Sequence, residues 1–108
     1  METIIHKIRL LDGSKAEDFE DWVQKYDYTA CPQLKSLLSF DVHRVPDSAE
    51  EQFHFFEVIK VSSREEFEQD MNTATFAGLV DAFSKMAEVV EEMEGTRIGT
   101  GFRAVKGE

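Results

Sequence analysis

Phe53-His54-Phe55-Phe56-Glu57-Val58-Ile59-Lys60-Val61 is the stretch on which the fold turns. In an extended chain Phe53, Phe55, Ile59 and Val61 share one face, while Phe56 and Val58 lie on the other. The segment therefore reads as a strand that is apolar on both sides, with Glu57 as the interruption on its richer face. An unpaired carboxylate is costly to bury, so Glu57 at this position requires a partner.

Working outward, Thr3 to Leu11 alternates as a second strand, with Ile4, His6, Ile8 and Leu10 on one face and Ile5, Lys7, Arg9 and Leu11 on the other. Asp12-Gly13 turns the chain, and Ser14 with Glu17 has the spacing of a capping box. Ala16, Phe19, Val23 and Tyr26 then recur at helical spacing, which predicts a helix from about Lys15 to Tyr26. Asp27 to Lys35, containing Cys31-Pro32, lacks periodicity and reads as a loop leading to a strand over Ser36 to Val45. Pro46-Asp47-Ser48 ends that strand and opens a short acidic loop.

Beyond the central strand, Ser63 and Glu66 form a second capping box for a short helix carrying Phe67 and Met71, which breaks near Asn72-Thr73. From Thr75 a longer helix places Phe76, Leu79, Val80, Phe83, Met86, Ala87 and Val90 on one stripe, with Gly95 as its stop. Arg97 to Val105, with two glycines, is then the predicted fourth strand. The order β-α-β, β-α-α-β is the split βαβ pattern: a ferredoxin-like α+β domain over residues 1–108, with helices on one face of a four-stranded antiparallel sheet. The second sheet face, with Ile5, Leu11, Phe56 and Val58, is left bare, and pairing of two copies through it would cover it.

A formal charge of −10, from 22 acidic and 12 basic residues, opposes nucleic acid and anionic lipid as partners. No apolar run approaches the roughly 20 residues of a membrane span, and the first ten residues do not read as a signal peptide, so cytoplasmic residence is the expectation. The single Cys31 excludes an intrachain disulfide and a multi-thiolate metal site. Glu91-Glu92-Met93-Glu94, the run from Asp27 to Asp41 and the tail Lys106-Gly107-Glu108 read as solvated surface or loop.

Few residues carry chemistry. His6 stands mid-strand on an apolar face, either hydrogen-bonded within the core or facing a pocket. His6 and Glu57 fall on the same face of neighbouring strands, so they can meet, and a carboxylate that orients an imidazole is an arrangement for proton transfer as well as a structural ion pair. Trp22, Tyr26 and Tyr28 are either core or the aromatic wall of a ligand pocket. His43 shares a strand face with Ser39 and Asp41, which is either solvated or turned toward a dimer interior. His6, His43, Glu57 and Asp70 show no metal-ligand spacing, and no phosphate loop or cofactor fingerprint is present, so neither metal nor cofactor is expected.

The run Phe53 to Ile59, followed by Ser62-Ser63-Arg64-Glu65-Glu66-Phe67 and Thr75-Phe76, resembles the dimeric α+β barrel superfamily of small monooxygenases and haem-degrading enzymes. Ile5 to Leu10, Asp27-Tyr28 with Cys31-Pro32, Phe40 to Val45 and Phe83-Ser84 look like the RedY-like, HapK-type proteins of prodiginine gene clusters, over nearly the whole chain. The resemblance implies a ligand between sheet and helices, with His6, Ile59 and Asp70 at the matching positions. Ile59 and Asp70 stand where haem-degrading members carry an aromatic residue and a histidine ligand, which argues against haem. It further implies a homodimeric accessory protein of the bipyrrole branch, binding a small pyrrole intermediate or a pathway enzyme. The alternative it implies is a cofactor-free or metal-dependent hydrolase, cyclase or oxygenase using His6 and Glu57.

Overall fold

The computed structural model describes residues 1–46 and 52–105, so the expected acidic loop after Pro46 and the tail from Lys106 lie outside the described residues. β1 (Glu2–Leu10), β2 (Leu37–Arg44), β3 (Phe55–Val61) and β4 (Ala87–Thr96) form one sheet in the order β2-β3-β1-β4, antiparallel throughout. The helical segments are α1 (Ala16–Trp22), α2 (Tyr28–Ala30), α3 (Arg64–Asp70) and α4 (Ala74–Ser84). This is the ferredoxin-like α+β arrangement expected from the alternation of strands and helices.

The central register is Ile4 opposite Ile59, His6 opposite Glu57 and Ile8 opposite Phe55. Its apolar rows nucleate two separate clusters. Ile8 and Phe55 pack with Phe19, Val23 and Ala87, whereas Ile4 and Ile59 pack with Val61 and Phe67. Phe19 lies 4.7 Å from Phe55 between ring centroids, which anchors α1 to the sheet. The polar row between the clusters is the reason the core is divided.

The cap at Ser63 forms as expected, its hydroxyl accepting the Glu66 N–H, and Thr73 performs the same service for Phe76 at the start of α4. The box at Ser14 does not form: α1 begins after Lys15 with no side-chain cap, and the Ser14 N–H is spent on Leu11 O in the preceding turn. Helix one also outruns its expected end. A π-helical turn, Val23–Asp27, carries it into α2 and then a 3-10 turn, Cys31–Gln33, so the expected loop over Asp27 to Lys35 is largely helical. Pro32 sits in the first residues of that 3-10 turn, where its missing N–H costs nothing.

The larger correction concerns the fourth strand, which is Ala87–Thr96 and not Arg97 to Val105. The apolar stripe suits a helix through Val90, but α4 stops at Ser84, and Met86 O accepts the N–H of Leu11. What draws the next ten residues into the sheet is β1, which would otherwise be an edge. Arg9 meets Glu88 at 2.8 Å, Lys7 meets Glu91 at 3.2 Å and His6 meets Glu92, cross-strand pairs that fall on either side of a register shift between Lys7 and Ile8. The tract read as solvated acidic surface is thus the charged strand that complements β1. Residues 97–105 carry no strand; Gly99 and Gly101 adopt φ of 64° and 68°, which only glycine tolerates without strain.

Asp70, the last residue of α3, is buried, and its carboxylate accepts the N–H groups of Lys35 (3.1 Å) and Ser36 (2.8 Å) together with the Ser36 hydroxyl. It ties α3 to the entry of β2. Asp70→Ala leaves these donors unsatisfied and is expected to lower stability by about 3 kcal/mol, read from urea unfolding, whereas a loss near zero would show that β2 is held by other contacts.

Candidate functional site

His6 occupies the centre of the helix-facing side of the sheet, between the two apolar clusters. Its Nδ1–H donates to Glu57 Oε2 at 2.7 Å and its Nε2–H to Glu92 Oε2 at 2.8 Å. An ionised carboxylate only accepts, so both bonds form at once only when the ring is the doubly protonated imidazolium. Burial works against that charge, but the hydrogen bonds and charges of Glu57 and Glu92 outweigh it and hold His6 above the ordinary histidine range. Glu57 is the inner partner at 13 % side-chain exposure, and Glu92, at 47 %, is the outer one. Arg64 lies beyond Glu92 at 3.9 Å and reaches Glu94 at 3.5 Å.

His6 and Glu57 look into a cavity of about 560 Å³ between the sheet and the helices. Its walls are mainly apolar: Trp22 from α1, Leu34, Leu37, Phe40 and Ile59 toward one side, and Phe67, Met71, Phe76, Leu79, Val80 and Phe83 from α3 to the end of α4. His6, Glu57, Asp27 and Cys31 supply polar groups to this space, and Ser84 and Glu88 supply others. A mainly apolar volume of this size with a few convergent polar groups is the usual form of a small-molecule site.

Of the residues singled out from sequence, His6, Glu57, Trp22 and Ile59 line this cavity. Tyr26, Tyr28, Asp70 and His43 do not. Tyr26 is 61 % exposed. The Tyr28 hydroxyl accepts the Val42 N–H at 3.0 Å beside a separate, smaller hollow. Asp70 is committed to the Lys35 and Ser36 backbone, as above. His43 stacks on Phe56 at 4.8 Å on the other face of the sheet.

Two residues escaped the sequence reading. Glu92 lies in a tract whose composition predicts solvated surface, just past an apolar stripe that suits a helix. Asp27 was assigned to a loop, yet the π-helical turn brings it inward in place of Tyr26: the Tyr28 N–H reaches back five residues to Val23 O, and the extra residue in that turn advances the inward position by one. The spacing Phe19, Val23, Asp27 was the available signal. Burial, with the charge of Glu57 adding to it, pushes the Asp27 carboxyl up to about 7. Burial, Asp27 and Glu57 likewise push the Cys31 thiol up to about 11, so it is neutral and a poor nucleophile at ordinary pH. Among the described residues no three His, Cys, Asp or Glu side chains are grouped to hold a metal ion; Glu57 and Glu92 approach opposite edges of the His6 ring and share no common point.

The fold and cavity define a ferredoxin-like α+β protein with its candidate site between the sheet and the helices. The family model for the REDY-like protein HapK matches residues 2–98, and the chain belongs to that family. The crystal structure of HapK from Hahella chejuensis is 56 % identical and superposes with a TM-score of 0.90 over 97 % of this chain and 100 % of that one. SnoaB from Streptomyces nogalater, a cofactor-independent oxygenase, is similar at 10 % identity with a TM-score of 0.71, over 92 % of this chain and 94 % of that one. A dimeric ferredoxin-like protein of unknown function from Thermobifida fusca is similar at 12 % identity with a TM-score of 0.67, over 87 % and 86 %. At these lower identities the likeness concerns the fold. No curated protein matches the chain. Among the described residues no helix is long and apolar enough to cross a membrane.

The pH dependence of folding follows from His6 and Asp27 with the same sign. A His6 value raised on folding stabilises fully below the ordinary histidine value of about 6.5, and that contribution is lost as pH rises through the folded value. Asp27, raised from 3.8 to about 7, likewise loses stability between those two values as pH rises. Urea midpoints measured from pH 4 to about 9 are expected to show a flatter profile between about 4 and 7 in Asp27→Asn, and above about 6.5 in His6→Gln. Profiles parallel to wild type in both variants would show that neither group titrates as described.

Proposed function

We propose that this protein is an accessory factor of prodiginine-type pigment formation that binds a small, flat pyrrole intermediate of the bipyrrole branch in the cavity beside His6. The observation that carries this reading is the cavity itself: apolar walls rich in aromatic rings, closed at one end by a fixed carboxylate–imidazole pair. The 56 % identity to HapK supports the family context. A planar heteroaromatic fills such a space by stacking and apolar contact, and the Glu57 carboxylate offers its N–H groups an acceptor.

A second reading, a cofactor-free enzyme acting on the same class of compound, is favoured by one observation. His6 holds Glu57 by Oε2 at 2.7 Å and leaves Oε1 free at the cavity, which is the geometry of a positioned base. The family resemblance also leaves open a pathway enzyme as the partner, and the titration below separates these readings.

We further read the protein as a homodimer paired through the sheet face opposite the helices. That face carries Ile5, Phe56, Val58 and the 44 %-exposed Met93, an apolar surface that a second copy would cover. Cytoplasmic residence accords with the single free Cys31.

Trp22 is the only tryptophan and lines the cavity, so its fluorescence reports occupancy. Titration with a methoxy-bipyrrole carbaldehyde and its hydroxymethyl precursor is expected to quench Trp22 in a saturable way. His6→Ala and the cavity-narrowing Leu79→Phe are each expected to weaken binding about tenfold or more. Turnover of the ligand that is lost in His6→Ala while the fold persists would establish the enzyme reading, and absence of saturable quenching by either compound would exclude the pyrrole cavity and leave a pathway enzyme as partner. Sedimentation of wild type as a dimer and of Val58→Lys as a monomer is the expected result for the interface; a monomeric wild type ends that reading.

A further inference from the structure

The Asp27 carboxyl stands apart from every other acid at the site. Among the described residues no N–H or O–H group donates to it, whereas Glu57 is bound by His6, and Glu92 by His6 with Arg64 nearby. It is delivered into the cavity by the π-helical turn, a local departure from α-helix that such sites often retain for positioning. The charged and titratable groups that face it are Glu57 from β3, His6 from β1 beyond Glu57, and the neutral Cys31 thiol one turn along its own helix. The one His6 ring is already shared between Glu57 and Glu92, so an ionised Asp27 adds a further, uncompensated negative charge to an apolar space.

We propose that Asp27 is the acid of this cavity: protonated, it donates a hydrogen bond to an acceptor on the bound molecule while Glu57 accepts an N–H from the same molecule. The free Oε1 of Glu57 is available for this, since only Oε2 is taken by His6. A carboxylic acid beside a carboxylate is complementary to a flat heteroaromatic that carries an N–H next to a carbonyl oxygen or imine nitrogen, the donor and acceptor side by side. A ligand bearing a carboxylate of its own is disfavoured, because it meets Glu57 with like charge. The assignment rests on the ligand-binding reading above, which it narrows to a class of compound and a protonation state.

The consequence is a proton taken up on binding. With its carboxyl at about 7, Asp27 is mostly ionised in the free protein at about pH 8, and a ligand that withdraws it further from water and accepts its hydrogen bond restores the proton. Calorimetric titration with the methoxy-bipyrrole carbaldehyde in two buffers of different ionisation enthalpy is expected to report uptake of about one proton per site at about pH 8, and affinity falling up to about tenfold per pH unit above 7. Asp27→Asn keeps a neutral donor, so it is expected to bind with no linked proton and no such fall in affinity. His6→Gln is expected to retain the linked proton despite weaker binding. A buffer-independent enthalpy in wild type, or uptake that persists in Asp27→Asn, overturns the assignment to Asp27 while the ligand-binding reading stands. No binding by wild type overturns both.

Discussion

The middle of an apolar sheet face is a costly place for charge, and the rest of this structure is arranged around the charges that sit there. His6 and Glu57 occupy the central row of β1 and β3, with isoleucine and phenylalanine rows on either side. Neither could remain ionised alone in that setting, and together they still leave one nitrogen of the imidazolium without a partner. Glu92 supplies it from β4. The row Glu57–His6–Glu92 therefore spans the three strands β3, β1 and β4, and the alignment of those strands is tied to the satisfaction of one ring.

That polar row shapes the volume above it. Helix side chains that would close over an aliphatic sheet have no apolar surface to meet at the centre, so the core separates into a cluster about Phe19 and Phe55 and another about Ile59 and Phe67. The cavity opens beside the row, roofed by α3 and α4 and walled by Trp22. The π-helical turn after α1 places a further carboxyl in its lining. The result is a volume that is apolar over most of its surface, with His6, Glu57, Asp27, Cys31 and Glu88 as the titratable side chains among its polar lining.

Much of the fold was legible in the chain. Alternation in β1, β2 and β3, the Ser63 cap and the break before α4 all appear in the structure, because each is decided by interactions within a few residues. The fourth strand was not legible. Residues 76–90 satisfy a helical stripe, and the choice of strand for the last part depends on cross-strand pairing with Lys7 and Arg9, some eighty residues away. The site shows the same division. The meeting of His6 and Glu57 follows from two strand patterns and the split βαβ order, whereas Glu92 was hidden with its strand and Asp27 by a single turn of unusual pitch. Tyr26 and Asp27 both lie near the inward edge of an ideal helix, and only the extra residue in the turn decides between them.

By itself, then, the amino-acid sequence determined the class of fold, the two neighbouring central strands and the presence of one histidine and one carboxylate on apolar strand faces that had to find each other. These follow from periodicity and from the cost of leaving charge unpaired in an apolar row. The tertiary structure alone decided which segment became the fourth strand, which second carboxylate completed the imidazolium, and which residue of helix one faced the cavity. Those outcomes depend on pairing across long separations, which leaves no local pattern in the chain, and on the pitch of one helical turn, where the local pattern suits Tyr26 and Asp27 alike.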